Sequence, residues 1–211
     1  MQKQSSATAG GGAHGSLGRI PDEIVRAVAR CFRRYGYGGT TMRVVSEESG
    51  LGRSSLYHYF PGGKEEMAIA ALDAAARLID SANEALRTSG QPRKRLRAML
   101  DILAEYYEDG ALGCLIGTFA TADCPPTVRS HVVALVQSWI GSIAEFLAEA
   151  GVPDADAEAA RSMVKLQGSL MLTGLTGDAT HFRSALTELT ALLPEQHPSG
   201  HDHAKHIEKR G

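Results

Sequence analysis

From Thr40 to Lys64 the chain reads TTMRVVSEESGLGRSSLYHYFPGGK, two short helical patterns hinged on Gly50-Leu51-Gly52. Thr41 is placed to N-cap a helix over Met42 to Ser49, its hydroxyl accepting from a backbone N–H that the first turn leaves without a partner. Gly50 supplies the left-handed residue that ends such a helix without a Cβ penalty, and Leu51 returns an apolar side chain into the angle between the two helices. A second helix, from Gly52 or Arg53 to Tyr59, puts Leu56 and Phe60 four apart on one face, toward Val45 and Leu51. Arg53, Ser54, Ser55, Tyr57 and His58 then fall mostly on the other side. This division reads as a helix-turn-helix whose outward residues suit base edges and phosphates while the inward ones hold the docking angle. An ordinary helical hairpin with a solvated face has the same local pattern.

The rest of the chain carries helical periodicity and no useful strand-like alternation. Residues 1–18, rich in Gly, Ser and Ala, read as a disordered arm. Pro21, with Asp22 and Glu23 beside it, suits the first turn of a helix, and Ile24, Val28, Phe32 and Tyr35 recur at helical spacing until Gly36. Further helices are expected over 65–87, from Pro92 to Tyr107 or Glu108, over 127–150, from a cap at Asp154 to about Gly177, and from about Ala179 to Leu193; a short apolar segment spans Leu112 to Ala122. The expected fold is all-α with about nine helices: a three-helix reading domain over 19–65 and a helical body over 66–193. The tail over 194–211 carries His197, His201, His203 and His206, but its Pro- and Gly-containing polar context gives no scaffold for metal ligands, so no metal is expected.

The Thr40 to Phe60 order, the apolar helix ending in Phe32 to Gly36, the Ser-Gly-Leu turn and Leu56-Tyr57-His58-Tyr59-Phe60 followed by Lys64-Glu65 together resemble the N-terminal domain of the tetracycline-repressor (TetR) family of transcription regulators, over about Ile24 to Ala71. The run Phe-Pro-Gly-Gly-Lys-Glu, with Gly113-Cys114-Leu115-Ile116-Gly117-Thr118 further on, is similar to the LmrA/YxaF-like branch. Three positions depart from the family pattern: Gly52 stands where a Ser or Thr cap is common, Ser49 replaces an alanine, and Pro61-Gly62-Gly63 lengthens the link to Lys64 by one residue.

Charge is distributed as such a reader requires. Between Arg19 and Lys64, eight basic side chains (Arg19, Arg26, Arg30, Arg33, Arg34, Arg43, Arg53, Lys64) face four acidic ones (Asp22, Glu23, Glu47, Glu48), a net of +4 inside a 211-residue chain whose formal charge is −2. The remainder is therefore acidic, and the basic head is oriented toward phosphate. No apolar run approaches the roughly 20 residues that span a bilayer, and the N-terminus lacks a signal peptide's apolar core, so a cytoplasmic protein is expected. Cys31, Cys114 and Cys124 are odd in number and irregularly spaced, which supports neither a disulfide framework nor a zinc finger; a redox sensor using Cys114 or Cys124 stays open. The chain lacks the zinc-protease, nucleophile-elbow and nucleotide-binding motifs, so no catalytic residue and no cofactor are expected.

The resemblance implies further roles. Arg43, Arg53, Ser54 and Ser55 would read bases, Tyr57 and His58 would lie on phosphate or a thymine methyl, and Thr41 and Lys64 would hold phosphates, on double-stranded operator DNA. It implies a homodimer made through the last two helices, where Leu166, Leu170, Leu175, Phe182, Leu186, Leu189 and Leu193 form stripes and Gly168, Ser169 and Gly174 allow close approach. It also implies a pocket for a small-molecule effector, apolar or partly aromatic, lined by Met99, Leu103, Tyr106, Tyr107, Phe119, Trp139, Ile143, Met163, Gln167 and Met171. For any one of these, ordinary core packing is the better reading and the pocket belongs only to the set; a ligand-independent or thiol-gated regulator would use the same head.

Overall fold

Pro21 sets the start of the first helix, α1 (Asp22–Gly39), whose acidic first turn faces the positive end of the helix dipole. The helix breaks at Gly36, where φ is +68°, and Thr40 closes the break by donating its hydroxyl to the Gly36 carbonyl at 2.7 Å. The chain continues through α2 (Met42–Ser49), α3 (Arg53–Tyr59), α4 (Gly63–Arg87), α5 (Pro92–Tyr106), a 3-10 turn (Glu108–Gly110), α6 (Leu115–Phe119), α7 (Pro126–Glu149), α8 (Ala155–Thr176) and α9 (Thr180–Thr190). This computed structural model describes residues 20–120 and 123–193, and among them there are nine α-helices and no strand. The arm over 1–18 and the His-containing tail over 194–211 lie outside the described residues, as does the end of the Leu112 to Ala122 segment.

Two cores merge into one. In the head, Val28 and Phe32 of α1, Val45 of α2, Leu56 and Phe60 around α3, and Met67 of α4 are wholly excluded from solvent. The same apolar cluster continues without a gap through Leu103, Phe119, Trp139, Leu147, Leu170 and Phe182. The bridge is aromatic: Phe119 of α6 meets Phe32 edge-on at 5.0 Å between centroids and Tyr37 at 6.2 Å. α4 also spans the boundary, packing on α1 at one end and on α5 and α7 along its length.

Arg95 bolts three body helices together. It is buried, donates through Nε to the Leu86 carbonyl at 2.7 Å, and grips Glu149 with Nη1 at 2.7 Å and Nη2 at 3.2 Å. The Leu86 carbonyl belongs to the last turn of α4, where intrahelical donors run out, so the guanidinium satisfies an acceptor the helix cannot. Gly110 serves the neighbouring corner: its φ is +92°, and a Cβ there would lie 2.9 Å from side-chain atoms of both Phe182 and Thr173. Only glycine fits that combination of backbone and space.

Two local expectations are corrected. Asp154 does not cap α8 with its side chain; it adopts a left-handed conformation (φ 51°, ψ 44°) instead of the extended one a cap needs, and its backbone carbonyl accepts from Glu158 at 2.9 Å. And α7, although interrupted by Arg129, His131 and Glu145, is long and apolar enough by length and composition to cross a membrane: 24 residues with a mean hydropathy of 1.4 in its most apolar window. Only 33% of that window is buried within the chain, and Val133 is the one exposed large apolar side chain of α7.

Candidate nucleic-acid interface

The turn between α2 and α3 is held by its own side chains. Thr41 accepts from the Val44 N–H at 3.2 Å, the N-cap its position called for. Gly50 follows α2 at φ +71°. A Cβ at Gly50 would touch nothing within 4 Å, so the backbone conformation alone, and not space, selects glycine here. Ser46 donates to the Leu51 carbonyl at 2.5 Å, and Ser49 donates to the Val45 carbonyl at 2.6 Å while accepting from the Leu51 N–H at 3.3 Å. Ser49, a departure from the family pattern, thus helps lock the turn. Gly52 at the N-cap of α3 provides no side-chain bond.

With Leu56 and Phe60 wholly buried, α3 presents Arg53, Ser54, Ser55, Tyr57 and His58 as one exposed face. Tyr57 is 54% exposed, a large amphipathic ring left in water. Arg53 has no ion pair or hydrogen bond among the described residues, whereas Arg43 of α2 is paired with Glu47 one turn on at 2.9 Å. Lys64 is placed differently from its expected phosphate role. Its ammonium donates to the Tyr37 carbonyl at 3.0 Å and sits 4.5 Å over the Tyr37 ring, so it straps α4 to the break after α1.

The sequence reading missed a brace between α1 and α2. Glu48 accepts from the Tyr35 hydroxyl at 3.2 Å and pairs with Arg34 at 3.4 Å. A second strap, from Arg33 to the Tyr106 hydroxyl with the guanidinium 5.2 Å over that ring, ties α1 to α5. Neither has a local spacing signal, because each joins residues 13 or more positions apart.

In the body, the ten residues expected around an effector separate. Met99, Leu103, Trp139, Ile143 and Met163 line a single enclosed space, with Leu96, Leu100, Leu147, Ser162, Leu166, Leu189 and Leu192. Its volume is about 20 Å³, room for about one water. The surface facing this space is wholly apolar; the indole N–H of Trp139 and the hydroxyl of Ser162 are buried behind it without hydrogen-bond partners among the described residues. The other five go elsewhere. Phe119 is spent on the head-body joint, Tyr106 on Arg33, and Tyr107 is edge-on to Phe182 at 6.1 Å with its hydroxyl 3.8 Å from the Cys114 thiol. Gln167 donates to the Met163 sulfur at 3.7 Å from the rim, and Met171 is 68% exposed on the opposite face of α8.

The expected dimer stripes divide as well, with Leu175 alone of the seven outside the protomer core. Leu166, Leu170, Phe182, Leu189 and Leu193 are buried inside the protomer, and Leu186 is half-buried against its core. From Leu166 to Thr176 α8 carries no charged residue, so helical periodicity alone does not say which face turns inward. The face left outside is Val164, Gly168, Met171, Leu172 and Leu175, an i, i+4, i+7, i+8, i+11 stripe with Leu175 80% exposed. Val133 of α7, the helix packed beside it, is exposed as well.

This is the anatomy of a helix-turn-helix DNA-binding regulator: a small basic reading head, firmly seated on a larger helical body. Residues 24–71 match the family model of bacterial regulatory proteins, tetR family. Along most of its length the chain is similar to the uncharacterized HTH-type transcriptional regulator YxaF of Bacillus subtilis, 26% identical over 78% of this chain and 90% of YxaF. It is likewise similar to the HTH-type transcriptional regulator LmrA of the same organism, 26% identical over 82% of this chain and 98% of LmrA. Among solved structures, a TetR transcriptional regulator from Chloroflexus aurantiacus superposes with a TM-score of 0.67 at 27% identity, covering 81% of this chain and 91% of that one. Together these matches support a TetR-type transcriptional regulator, with the tetR-family domain itself matched over residues 24–71.

Proposed function

We propose that the protein is a homodimeric repressor that docks two copies of α3 in successive major grooves of a near-palindromic operator and is released by a small apolar or aromatic molecule entering the body. The observation that carries the reading is the exposed row of α3: Arg53 without a partner, Ser54, Ser55 and Tyr57 in solvent, and Leu56 and Phe60 sealing the opposite side. One such helix contacts too few base pairs to select a single site in a genome, so two must act together. The uncovered stripe of α8, with Val133 of α7 beside it, supplies a surface that a second copy would cover.

Support for the effector comes from the small, wholly apolar space between α5, α7 and α8, beneath Trp139. A ligand with an apolar or aromatic ring would enter it by wedging α7 from α5. Thiol gating gains no comparable support. Of its two candidates, Cys124 is buried, and burial raises its thiol above the ordinary value, so it is no ready thiolate at neutral pH. Cys114 is half-buried, with its sulfur 3.8 Å from the Tyr107 hydroxyl and neither of the other cysteines beside it as a disulfide partner.

Selecting genomic fragments on the purified protein, and then challenging the bound fragments with a panel of apolar aromatic compounds and separately with peroxide, tests the reading. Enrichment of near-palindromes released by a compound in the panel is expected. Release by peroxide alone, or enrichment of no duplex, would overturn it.

A further inference from the structure

A second concavity lies at the junction of head and body, far in character from the apolar one. Its volume is about 280 Å³, and it is walled by Arg30, Arg33 and Arg34 of α1, with Glu48 of α2 and the Ala111–Gly113 loop closing the other sides. Three guanidinium groups at i, i+3 and i+4 repel one another along one helix face, and all are charged at any physiological pH. Against them the walls offer a single carboxylate, Glu48. Arg30 has no ion pair among the described residues; Arg33 holds the Tyr106 hydroxyl through Nη2 and carries a positive charge that no carboxylate pairs among them, its Nε buried without a hydrogen-bond partner. The Cys31 thiol completes the floor and, held protonated by burial, adds no negative charge.

We infer that this junction is a binding site for a compact anion bearing two or more negative charges, of the phosphate-ester or polycarboxylate class. Guanidinium forks bind both groups by paired N–H···O bonds, and Glu48 already fills part of that role from inside the protein. The loop over 111–113 lines the cleft from the body side, so the site is shared between head and body. The site also has a lever. Glu48 is the α2 end of the brace to Arg34 and Tyr35, so an anion that takes Arg34 from Glu48 loosens α2, and with it the seat of α3, from α1. Binding at this site does not depend on the operator reading, and it is measured on the protein without DNA.

Calorimetric titration of the full chain with inorganic phosphate, malonate and tricarballylate, against sodium chloride at matched ionic strength, tests the site. One saturable site per protomer is expected; a preference for phosphate assigns phosphate esters as the source, and a preference for tricarballylate assigns carboxylates. The exposed pair Arg30→Gln/Arg34→Gln should weaken binding at least tenfold, and Glu48→Gln, which removes the internal competitor, should tighten it severalfold. Tightening is an effect that simple damage to the fold does not produce. No saturable binding of any probe, equal binding by the double-arginine variant, or weaker binding by Glu48→Gln would each overturn the inference, as would a loss of DNA affinity in the arginine variants with no response to any free anion.

Discussion

Arg53 stands in the first turn of α3 with nothing inside the described protein competing for its guanidinium, which makes its removal simple to interpret. Arg53→Ala should cost about 1 to 3 kcal/mol of operator binding and relax discrimination at one base position, measured by affinity across operator variants. Lys64 lends itself to the opposite test. As a strap onto Tyr37 it acts within the protein, so Lys64→Met should lower stability by about 1 kcal/mol and Tm by roughly 2 to 4 °C. The salt dependence of operator binding should stay as it was; a slope reduced by about one phosphate would instead restore the contact first expected. Glu149 gives a pH signature. Its hydrogen bond from Arg95 holds the carboxyl below its ordinary value of 4.5. The stabilisation is therefore present above that value and lost as pH falls through the lower folded one. In thermal melts, Glu149→Gln should differ from the wild type at pH 7, and the gap should close as the pH drops well below 4.5.

At the scale of the helix, α8 sets the main expectation. Met171→Glu/Leu175→Glu places two carboxylates on its outward stripe, where the protomer's own core is untouched. The variant should keep its helical content while its self-association weakens by roughly a hundredfold, about 2.7 kcal/mol, in sedimentation analysis. Phe182, by contrast, is core, and truncating it to Ala should destabilise the fold by about 3 to 5 kcal/mol. That difference marks how far the sequence was legible. The reading helices could be read almost to the residue, because Thr41, Gly50 and the Leu56–Phe60 pair act through neighbours within one or two turns. α8 could not, because from Leu166 to Thr176 it carries no charged residue, and so no label for inside and outside until α7 and α9 have packed against it. Phe119 and Tyr106 were misplaced for a related reason: their aromatic character is visible in the sequence, but their partners Phe32 and Arg33 lie far away along the chain.

For the molecule as a whole, the question is how the body speaks to the heads. Three routes cross the boundary: the aromatic joint of Phe119 with Phe32 and Tyr37, the strap from Arg33 to Tyr106, and the continuous length of α4. If an effector widens the 20 Å³ space beneath Trp139, as proposed, these are the packed contacts through which the heads would shift. Each tenfold change in operator affinity requires about 1.4 kcal/mol of such coupling. The account rests on two heads held at one fixed separation, and hydroxyl-radical footprinting of the intact protein on a selected operator measures that separation directly. The expected result is two protected half-sites on one face of the duplex, centred about 10 base pairs, or roughly 34 Å, apart or a small multiple of that. A single protected patch, contributed by one protomer alone, would contradict it.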